Sequence, residues 1–495
     1  MQSISGTMLR DLLLCERRFE LDLREDASAR ESTSAFVEML WREGLAHESE
    51  ILFALPGPVS DFRGLSTREQ EAATLEAIAA RSRTILGAAL TCGDMVGMPD
   101  VLRWTEAGYV AMDVKAGSAM EGPRENYKPA YLVQVAHYAF LLESTGLGRG
   151  DIAGIIDRDG KETMYDLSRP FGRDRASGRD RHLKLLAQAR RIRDGQQDTR
   201  GALSAICGMC DWRRLCKLEL RETDDLTQLA GLGRSIRDAM EPIARTVTQL
   251  ANVTPDTSTL KDVGGIGAER LARFVARARL WSDKHSGPVR NAPLRLPSNP
   301  HRIDFDVEAD PLRGIVYLHG FWHDRTGTDG EFVHFFAPTI DEAGEREAFA
   351  AAMEHFKAHR SAHWYHYSAY ERTAYRGLQK RHPSVCSEHD IADIFLPERC
   401  TDLYQVISRH TDWPLSSYGI KSIAKACGFD WTDVDPSGAN SIQWFDDFAR
   451  TGDPALRQRI IDYNRDDVIA SARVRDALIE LDEKGQVDNF RRPEK

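Results

Sequence analysis

The sequence predicts a mixed α/β protein with more than one domain. Its 495 residues exceed the roughly 100 to 200 residues of a typical domain. Two separate sets of β-rich runs, one near residue 105 and one beginning near residue 303, are each surrounded by helical patterns. Apolar residues make up 42% of the chain and charged residues 29%, an ordinary globular composition that excludes a collagen-like or wholly disordered protein.

Three segments follow one another along the chain, and we expect each to be a domain or a small folded region. Residues 1–220 combine helical patterns with two strand-like runs, Val101 to Trp104 and Tyr109 to Val114. Residues 221–290 are mainly helical and contain two Gly-x-Gly turns. Residues 298–495 start with three β-rich runs and continue with helices, which predicts a sheet flanked by helices.

The charge of the chain limits how it can bind nucleic acid. With 66 basic and 76 acidic residues, the net charge is -10, so any nucleic-acid contact must be local. Arg173 to Arg200 is one candidate, with nine basic and four acidic residues, and a solvated helix face is the equal alternative. Apolar runs fall well short of the roughly 20 residues of a membrane helix, and Met1 to Arg18 lacks the features of a signal peptide. We therefore expect a cytoplasmic protein without a membrane partner.

The two strand-like runs of the first segment carry a pattern of two carboxylates and a lysine. Asp100 directly precedes one strand, and the next strand ends in Asp113-x-Lys115. Residues two apart on a strand point to the same face, so Asp113 and Lys115 project together. Such a group can hold a hard divalent cation and keep an ammonium beside an attacking water molecule. The alternative is a half-exposed strand that happens to carry two charges.

Two helical patterns add further polar residues to this group. Gln134 and Tyr138 are four residues apart and share one helix face, and His47 lies on an earlier helix. The complete set in chain order is His47, Asp100, Asp113, Lys115, Gln134 and Tyr138. This set resembles the motifs of RecB-type nucleases of the PD-(D/E)xK superfamily. The resemblance implies that the carboxylates and the histidine bind Mg²⁺ or Mn²⁺, that the lysine assists the attacking water, and that the glutamine and tyrosine contact the substrate.

Four cysteines predict a second kind of metal centre. Cys207, Cys210 and Cys216 form a C-x2-C-x5-C cluster, and either Cys15 or Cys92 can supply the fourth thiolate of a zinc site or an iron–sulfur cluster. The segment around Cys15 resembles the N-terminal segment of AddB-type iron–sulfur nucleases. That resemblance implies a [4Fe-4S] cluster held by Cys15 and the C-x2-C-x5-C cluster. Zinc is the main rival, since the number of thiolates does not select the metal.

The third segment opens with an acidic strand. In the run Ile303 to Glu308, the side chains of Asp304, Asp306 and Glu308 alternate with apolar ones and so share one face. Three neighbouring carboxylates repel one another unless a cation neutralises them. The strand is therefore either an exposed edge or part of a metal site.

Two later motifs favour the metal site. Glu371 lies at the start of a helix, and Tyr463 and Asp467 are four residues apart on another helix. Together with Asp306 and Glu308, they resemble the DEDD exonucleases with a ribonuclease-H-like fold, in the tyrosine variant, and most closely the YprB-type domain. The resemblance implies that the four carboxylates bind two divalent cations and that the tyrosine orients the attacking water. Glu371 departs from the pattern, because that position is usually Asp.

The middle segment contains a glycine-rich turn. Leu260 to Leu271 resembles a helix-hairpin-helix turn, whose backbone N–H groups can bind a phosphate at a helix N-terminus. A weaker copy lies at Leu229 to Arg234, and Arg270, Arg273 and Arg277 are the nearby cations. In the alternative interpretation, the glycines only allow a short helical hairpin to turn.

The order of these parts resembles a RecB-like nuclease family that covers nearly the whole chain. The implied architecture is a PD-(D/E)xK restriction-endonuclease-like domain, a small helix-hairpin-helix region and a ribonuclease-H-like α/β domain. The implied function is a metal-dependent nuclease that acts on DNA, with single strands and exonucleolytic cleavage favoured, in repair, recombination or defence. The alternatives are an RNA-processing nuclease, or a nucleic-acid-binding adaptor with a decayed site. Because no Walker motif is present, unwinding would require a separate helicase.

Overall fold

The chain divides into two compact units in a computed structural model. Unit 1 comprises Met1–Lys217 and unit 2 comprises Leu218–Lys495. The residues that the structure describes are 2–122, 124–172, 174–256, 261, 263–325 and 330–492. Within these residues, no helix combines the length and the apolar character that crossing a bilayer requires.

Unit 1 surrounds a mixed sheet with helices. Its helices are α1 (Gly6–Leu14), α2 (Glu16–Arg24), α3 (Ala35–Ala54), α4 (Thr67–Ala79), α5 (Pro129–Ser144) and α6 (Gly178–Arg193), and α7 (Arg213–Glu222) crosses the boundary of the unit. Short 3-10 turns lie at Ala27–Ala29 and Ala205–Met209. Helix α5 begins with Pro129 at its first turn, where the missing N–H costs nothing, and it is buried along most of its length because it lies against the sheet.

The strands of unit 1 form one large and two small sheets. They are β1 (Ile4–Ser5), β2 (Val59–Asp61), β3 (Thr84–Leu86), β4 (Leu90–Cys92), β5 (Met95–Gly97), β6 (Val101–Thr105), β7 (Gly108–Val114), β8 (Met120–Glu121), β9 (Asn126–Tyr127), β10 (Ile152–Ile156) and β11 (Glu162–Asp166). The large sheet has the order β11-β10-β7-β6-β3-β2, and β1-β5-β4 and β8-β9 form the small ones. Strands β6 and β7 form an antiparallel hairpin and β10 runs parallel to β7, so the two predicted strands lie at the centre of the sheet.

Unit 2 begins with short helices and continues into a second α/β region. Its helices are α8 (Arg234–Met240), α9 (Val247–Ala251), α10 (Ala268–Ser282), α11 (Glu342–Ala358), α12 (Tyr370–Arg381), α13 (Glu388–Ile394), α14 (Leu403–His410), α15 (Ile420–Ala426), α16 (Gly438–Thr451) and α17 (Pro454–Lys484). A 3-10 turn lies at Leu226–Gln228, and it packs with α8, α9 and α10 around a small apolar cluster of its own. These short helices are therefore stabilised by tertiary packing.

The sheet of unit 2 has five strands in the order β15-β14-β13-β16-β17. The strands are β12 (Val289–Arg290), β13 (His301–Asp310), β14 (Ile315–Arg325), β15 (Glu331–Phe336), β16 (His363–His366), β17 (Cys400–Asp402) and β18 (Thr411–Asp412), with β12 and β18 paired separately. Strands β13, β14 and β15 are antiparallel neighbours, whereas β16 runs parallel to β13 and β17 parallel to β16. The predicted α/β multidomain fold is confirmed.

The long helix α17 brings the C-terminal motif to the sheet. Asp453 caps its first turn by accepting a hydrogen bond from the Ala455 N–H, and Pro454 occupies the first helical position. Gly485 ends the helix in the left-handed conformation that favours glycine, with φ +72°. The helix packs on β13 and β14, so residues of α17 face the acidic strand.

Candidate active sites

The two aspartates of the first motif lie side by side in unit 1. Val101 pairs with Met112 across the β6–β7 hairpin, so Asp100, one residue before Val101, lies beside Asp113. The Val114 N–H donates to Asp100 Oδ2 over 2.7 Å, and the two carboxyl groups are hydrogen-bonded to each other. Burial and the charge of Asp113 raise the pKa of Asp100 well above its usual range. Two adjacent buried carboxylates of this kind can share a cation.

A chain of polar contacts leads away from these aspartates. The Lys115 ammonium forms an ion pair with Asp113 and donates to Gln134 Oε1 over 3.2 Å. Gln134 Nε2 in turn donates to the Tyr138 hydroxyl over 3.0 Å. Both partners come from one face of α5, as their spacing predicts. The structure thus brings Asp100, Asp113, Lys115, Gln134 and Tyr138 together.

Unit 2 contains a second acidic group at the junction of β13 and α17. Carboxylate oxygens of Asp306, Glu308 and Asp467 all lie within 4.8 Å of one another. Burial and mutual repulsion raise the pKa of Asp306 and of Glu308 well above the usual range, and burial raises that of Asp467. Ser441 Oγ donates to Glu308 Oε2 over 2.8 Å. Two of these carboxylates come from β13 and the third from α17, about 160 positions later, and all three face one small space.

Glu371 reaches the same group from the start of α12. It is 2% exposed, and its carboxyl group is hydrogen-bonded to that of Asp306. Burial is the main cause that raises the pKa of Glu371 to about 8, and Glu371 Oε2 lies 3.2 Å from His366 Nδ1. The turn before α12 places Ser368 at φ +93°, a strained conformation for a residue other than glycine. Asp402 Oδ1 holds this turn by accepting from the Ser368 N–H over 3.1 Å.

Tyr463 and a lysine complete the surroundings of Asp467. The Tyr463 hydroxyl is hydrogen-bonded to Asp467, and burial together with this carboxylate raises its pKa. Trp431 Nε1 donates to Asp467 Oδ1 over 2.7 Å. The Lys421 ammonium lies 3.4 Å from the same oxygen and 4.5 Å from the ring centres of both Trp431 and Tyr463. The Lys421 ammonium thus balances part of the negative charge of Asp467.

Comparison with known families identifies two segments of the chain, each of which contains one of these groups of residues. Residues 5–217 match the family model of the PD-(D/E)XK nuclease superfamily, and residues 303–479 match that of the RNase_H superfamily. The chain contains two domains of nuclease superfamilies. A search of the curated proteins gives no match to this chain.

Sequence reasoning missed one carboxylate of the PD-(D/E)XK domain. Glu48 follows His47 on α3, and the charges of Glu48, Asp100 and Asp113 act on one another. Burial and the charge of Asp113 raise the pKa of Glu48. His47 Nε2 is buried and makes no hydrogen bond within the part of the chain that the structure describes. In the sequence, the position of Glu48 directly after the predicted metal ligand His47 could have indicated it as a site residue.

The four predicted cysteine ligands all belong to the PD-(D/E)XK domain. Cys15 lies between α1 and α2, Cys207 and Cys210 lie in and after the 3-10 turn at Ala205–Met209, and Cys216 lies in α7. Burial, together with the neighbouring Cys15 and Cys207, raises the pKa of the Cys210 thiol. These three residues are therefore electrostatic neighbours although nearly 200 positions separate Cys15 from the others.

The basic segment of this domain is neutralised in part by the domain itself. Four of its arginines form ion pairs within unit 1, namely Arg179 with Glu143, Arg181 with Asp174, and Arg190 and Arg193 with Asp94. Arg173 lies outside the described residues. The structure thus favours a structural role for α6 over a phosphate-binding surface.

The RNase_H domain contains residues that sequence reasoning did not assign. Lys421, Trp431 and Asn464 all contact predicted site residues, and Asn464 Nδ2 donates to Asp306 Oδ2 over 2.8 Å. Asp304 instead forms a buried ion pair with Arg475. Of Lys421, Trp431 and Asn464, only Asn464 could have been assigned from the sequence, because it is next to the predicted site residue Tyr463.

The glycine-rich turn of unit 2 differs in part from the prediction. Gly265 has φ +77° and Gly267 caps α10, so a helix N-terminus does follow the turn, although Leu260 and Asp262 lie outside the described residues. Two of the three nearby arginines form ion pairs within unit 2. Arg273 and Arg277 contact Asp412 over 3.0 and 2.7 Å, which favours the interpretation in which the glycines only allow the chain to turn.

Proposed function

We propose that this protein is a divalent-metal-dependent nuclease that hydrolyses phosphodiester bonds of DNA at two separate sites. The observation that carries the proposal is the convergence of Asp306, Glu308 and Asp467 within 4.8 Å. Single-stranded DNA, exonucleolytic cleavage and a role in repair, recombination or defence rest on the resemblance to RecB-like nucleases. A cytoplasmic location is part of the proposal.

The acidic group of the RNase_H domain fits a hard cation. Mg²⁺ binds oxygen ligands at 2.0 to 2.1 Å, so two oxygens on opposite sides of the ion are about 4 Å apart. The observed carboxylate oxygens span up to 4.8 Å, and burial followed by repulsion from neighbouring carboxylates raises the pKa of Asp306 and of Glu308. Mg²⁺ or Mn²⁺, when bound, would activate water and stabilise the leaving oxygen. Glu371 reaches the same space because its longer side chain hydrogen-bonds Asp306.

The side chains around this group have separate tasks in the proposal. Trp431 and Lys421 hold the carboxylate of Asp467, and Tyr463, hydrogen-bonded to it, directs its hydroxyl at the attacking water. The raised pKa keeps Tyr463 protonated at neutral pH. Lys421 also offers a positive charge to the substrate phosphate.

The PD-(D/E)XK site uses a different arrangement for the same reaction. Asp100 and Asp113 would hold the cation together with Glu48 from α3, and the buried Nε2 of His47, which has no hydrogen-bond partner among the described residues, would be a further ligand. Lys115, held between Asp113 and Gln134, keeps its ammonium beside the attacking water. Gln134 and Tyr138 contact the substrate strand from α5.

The cysteines support a [4Fe-4S] cluster in the proposal. Cys15 lies in the N-terminal helices and the other three ligands, Cys207, Cys210 and Cys216, lie after α6. A cluster bound to all four would close a loop of about 190 residues and so stabilise the domain by restricting the unfolded chain.

The test is a cleavage assay with the full-length chain and Mg²⁺ or Mn²⁺. Substrates are end-labelled single-stranded DNA, double-stranded DNA and single-stranded RNA. The proteins are the wild type, Asp113→Ala, Asp306→Ala and the double variant. We expect each single variant to lose one of two activities and the double variant to lose both.

The controls separate site effects from general damage. Asp467→Asn is matched by Asp462→Asn, which lies on the same helix but pairs with Arg465 over 3.0 Å. Cleavage that persists in the double variant would refute both site assignments. Faster cleavage of RNA than of DNA would favour the RNA-processing function, and binding without cleavage would favour the adaptor.

A further inference from the structure

A cluster of four histidines lies in unit 2 and shares no residue with the acidic group of that unit. It consists of His301, His323, His355 and His359. None of them contacts the carboxylates of Asp306, Glu308 or Asp467 in any described hydrogen bond or ion pair. His323 is 4% exposed and the other three are half-buried. The proposed nuclease chemistry gives these side chains no task.

The fold brings the four imidazoles together in two pairs. Ile303 of β13 pairs with His323 of β14, so His301, two residues before Ile303, shares the sheet face of His323. His355 and His359 are four residues apart at the end of α11 and share one helix face. Helix α11 packs on β14, which places the helical pair against the pair from the strands.

The nitrogen atoms are close enough for a shared ligand. One ring nitrogen each of His301, His323 and His359 lies within 4.8 Å of the others. His301 Nε2 is 3.1 Å from His323 Nδ1. Zinc binds imidazole nitrogen at 2.0 to 2.1 Å in tetrahedral geometry, so two such nitrogens are about 3.4 Å apart around the ion. Small rotations of the three side chains would bring nitrogen atoms that now lie within 4.8 Å of one another to the spacing of about 3.4 Å around zinc.

His355 has a different place in the cluster. Its Nε2 lies 2.8 Å from His323 Nε2, so one of these nitrogens donates a hydrogen bond to the other. Because His323 Nε2 makes this contact, His323 Nδ1, which lies next to His301, is the nitrogen that can bind a metal ion. Metal-binding histidines commonly use their second nitrogen in a hydrogen bond that orients the ring.

We propose that His301, His323 and His359 bind one zinc-class transition-metal ion and that His355 orients His323. Three imidazoles favour zinc and similar ions over Mg²⁺, which prefers oxygen. Arg325 Nε lies 3.3 Å from His301 Nε2 and must swing away when the ion binds.

The ion would join the end of α11 to the β13–β14 hairpin. Without it, the same histidines form only a chain of hydrogen bonds and ring contacts. The role is structural and does not depend on the proposed nuclease function. Because the metal binds only the folded unit, the midpoint of thermal unfolding rises with the metal concentration, and above the dissociation constant it rises with the logarithm of that concentration.

The experiment compares zinc binding by full-length variants. The wild type, His301→Gln and His359→Gln are stripped with a chelator and dialysed against Zn²⁺, and the bound metal is counted by elemental analysis. His389→Gln, an exposed histidine of α13, is the matched control. Any zinc held by the cysteines contributes equally to all four proteins, so the difference between them reports on the histidine cluster. Thermal unfolding with increasing Zn²⁺ is the second measurement.

We expect each cluster variant to bind about one equivalent less zinc than the wild type and the His389→Gln control. We also expect a smaller zinc-dependent rise of the unfolding midpoint. Equal zinc content and an equal rise in all four proteins would overturn the proposal, as would a stripped wild type that takes up no zinc. His301 and His359 lie on different elements, so either variant alone decides the question if the other fails to fold.

Discussion

Gly320 leaves the space that the side chain of Asn464 occupies. A Cβ atom at position 320 would lie 1.7 Å from Asn464 Oδ1, far inside van der Waals contact. Gly320 pairs with Asp306 across β13 and β14, and Asn464 passes over it to donate to Asp306 Oδ2. The absence of a side chain at this position therefore allows α17 to orient one of the site carboxylates.

Gly320→Ala should reduce cleavage by the RNase_H domain about tenfold or more, because Asn464 must leave Asp306. The measurement is the cleavage rate in an Asp113→Ala background. Gly377→Ala on α12, where an added Cβ makes only ordinary contact with Arg381, is the control. Equal rates for the two alanine variants would contradict the assigned role of Asn464.

Arg475→Met should lower the free energy of unfolding by about 3 to 5 kcal/mol. The guanidinium is fully buried and pairs with Asp304, whose buried carboxyl group would be left without its partner. Arg465→Met, which removes a largely exposed ion pair with Asp462, should cost no more than about 1 kcal/mol. Urea unfolding measures both. The addition of Asp304→Asn to Arg475→Met should recover stability, and a further loss would argue against this explanation.

The metal-free protein should become less stable as the pH rises from about 5 to 8. The unfolded pKa of a glutamate is about 4.3, whereas that of folded Glu371 is raised to about 8 by burial, so the folded state binds more protons in this window. Stability is then lost as Glu371 ionises, and Mg²⁺ should restore it most at the upper end. Thermal unfolding with EDTA and with Mg²⁺ measures this effect. Glu371→Gln should flatten the curve, and an unchanged slope would exclude Glu371 as its source.

Glu48→Gln should weaken Mn²⁺ binding by the PD-(D/E)XK domain, so that the Mn²⁺ concentration at half-maximal cleavage rate rises about tenfold. The reason is the location of Glu48 in the field of Asp100 and Asp113. Glu50→Gln on the same helix changes an exposed residue and serves as the control. Both are measured as the Mn²⁺ concentration at half-maximal rate in an Asp306→Ala background. Identical values would show that Glu48 contributes nothing to metal binding.

Cys210→Ser should yield protein without bound iron and with lower stability, because one cluster ligand is lost. Cys92→Ser, which changes a half-buried cysteine on β4, should retain the iron and the stability of the wild type. Anaerobic purification followed by iron, sulfide and zinc analysis distinguishes the outcomes. Zinc without iron in the wild type would replace the [4Fe-4S] proposal with a zinc site.

Much of each site is predictable from the sequence because its motifs follow the period of a helix or a strand. Asp306-x-Glu308 uses the two-residue repeat of β13, and Tyr463 and Asp467 use the four-residue spacing of α17. These rules state which side chains share a face. They do not state which faces meet, and so the neighbours Lys421, Trp431 and Glu48 remained unassigned.

The sequence by itself determined the fold class, the strands and helices that carry the motifs, and the side chains that share a face on each. The tertiary structure decided which of these faces came together. Asn464 meets Asp306 across 158 positions, Arg273 and Arg277 are drawn to Asp412, and four histidines from two strands and a helix converge. Local periodicity is a property of neighbouring residues, whereas these contacts depend on how buried surfaces of distant segments pack, which spacing alone does not encode.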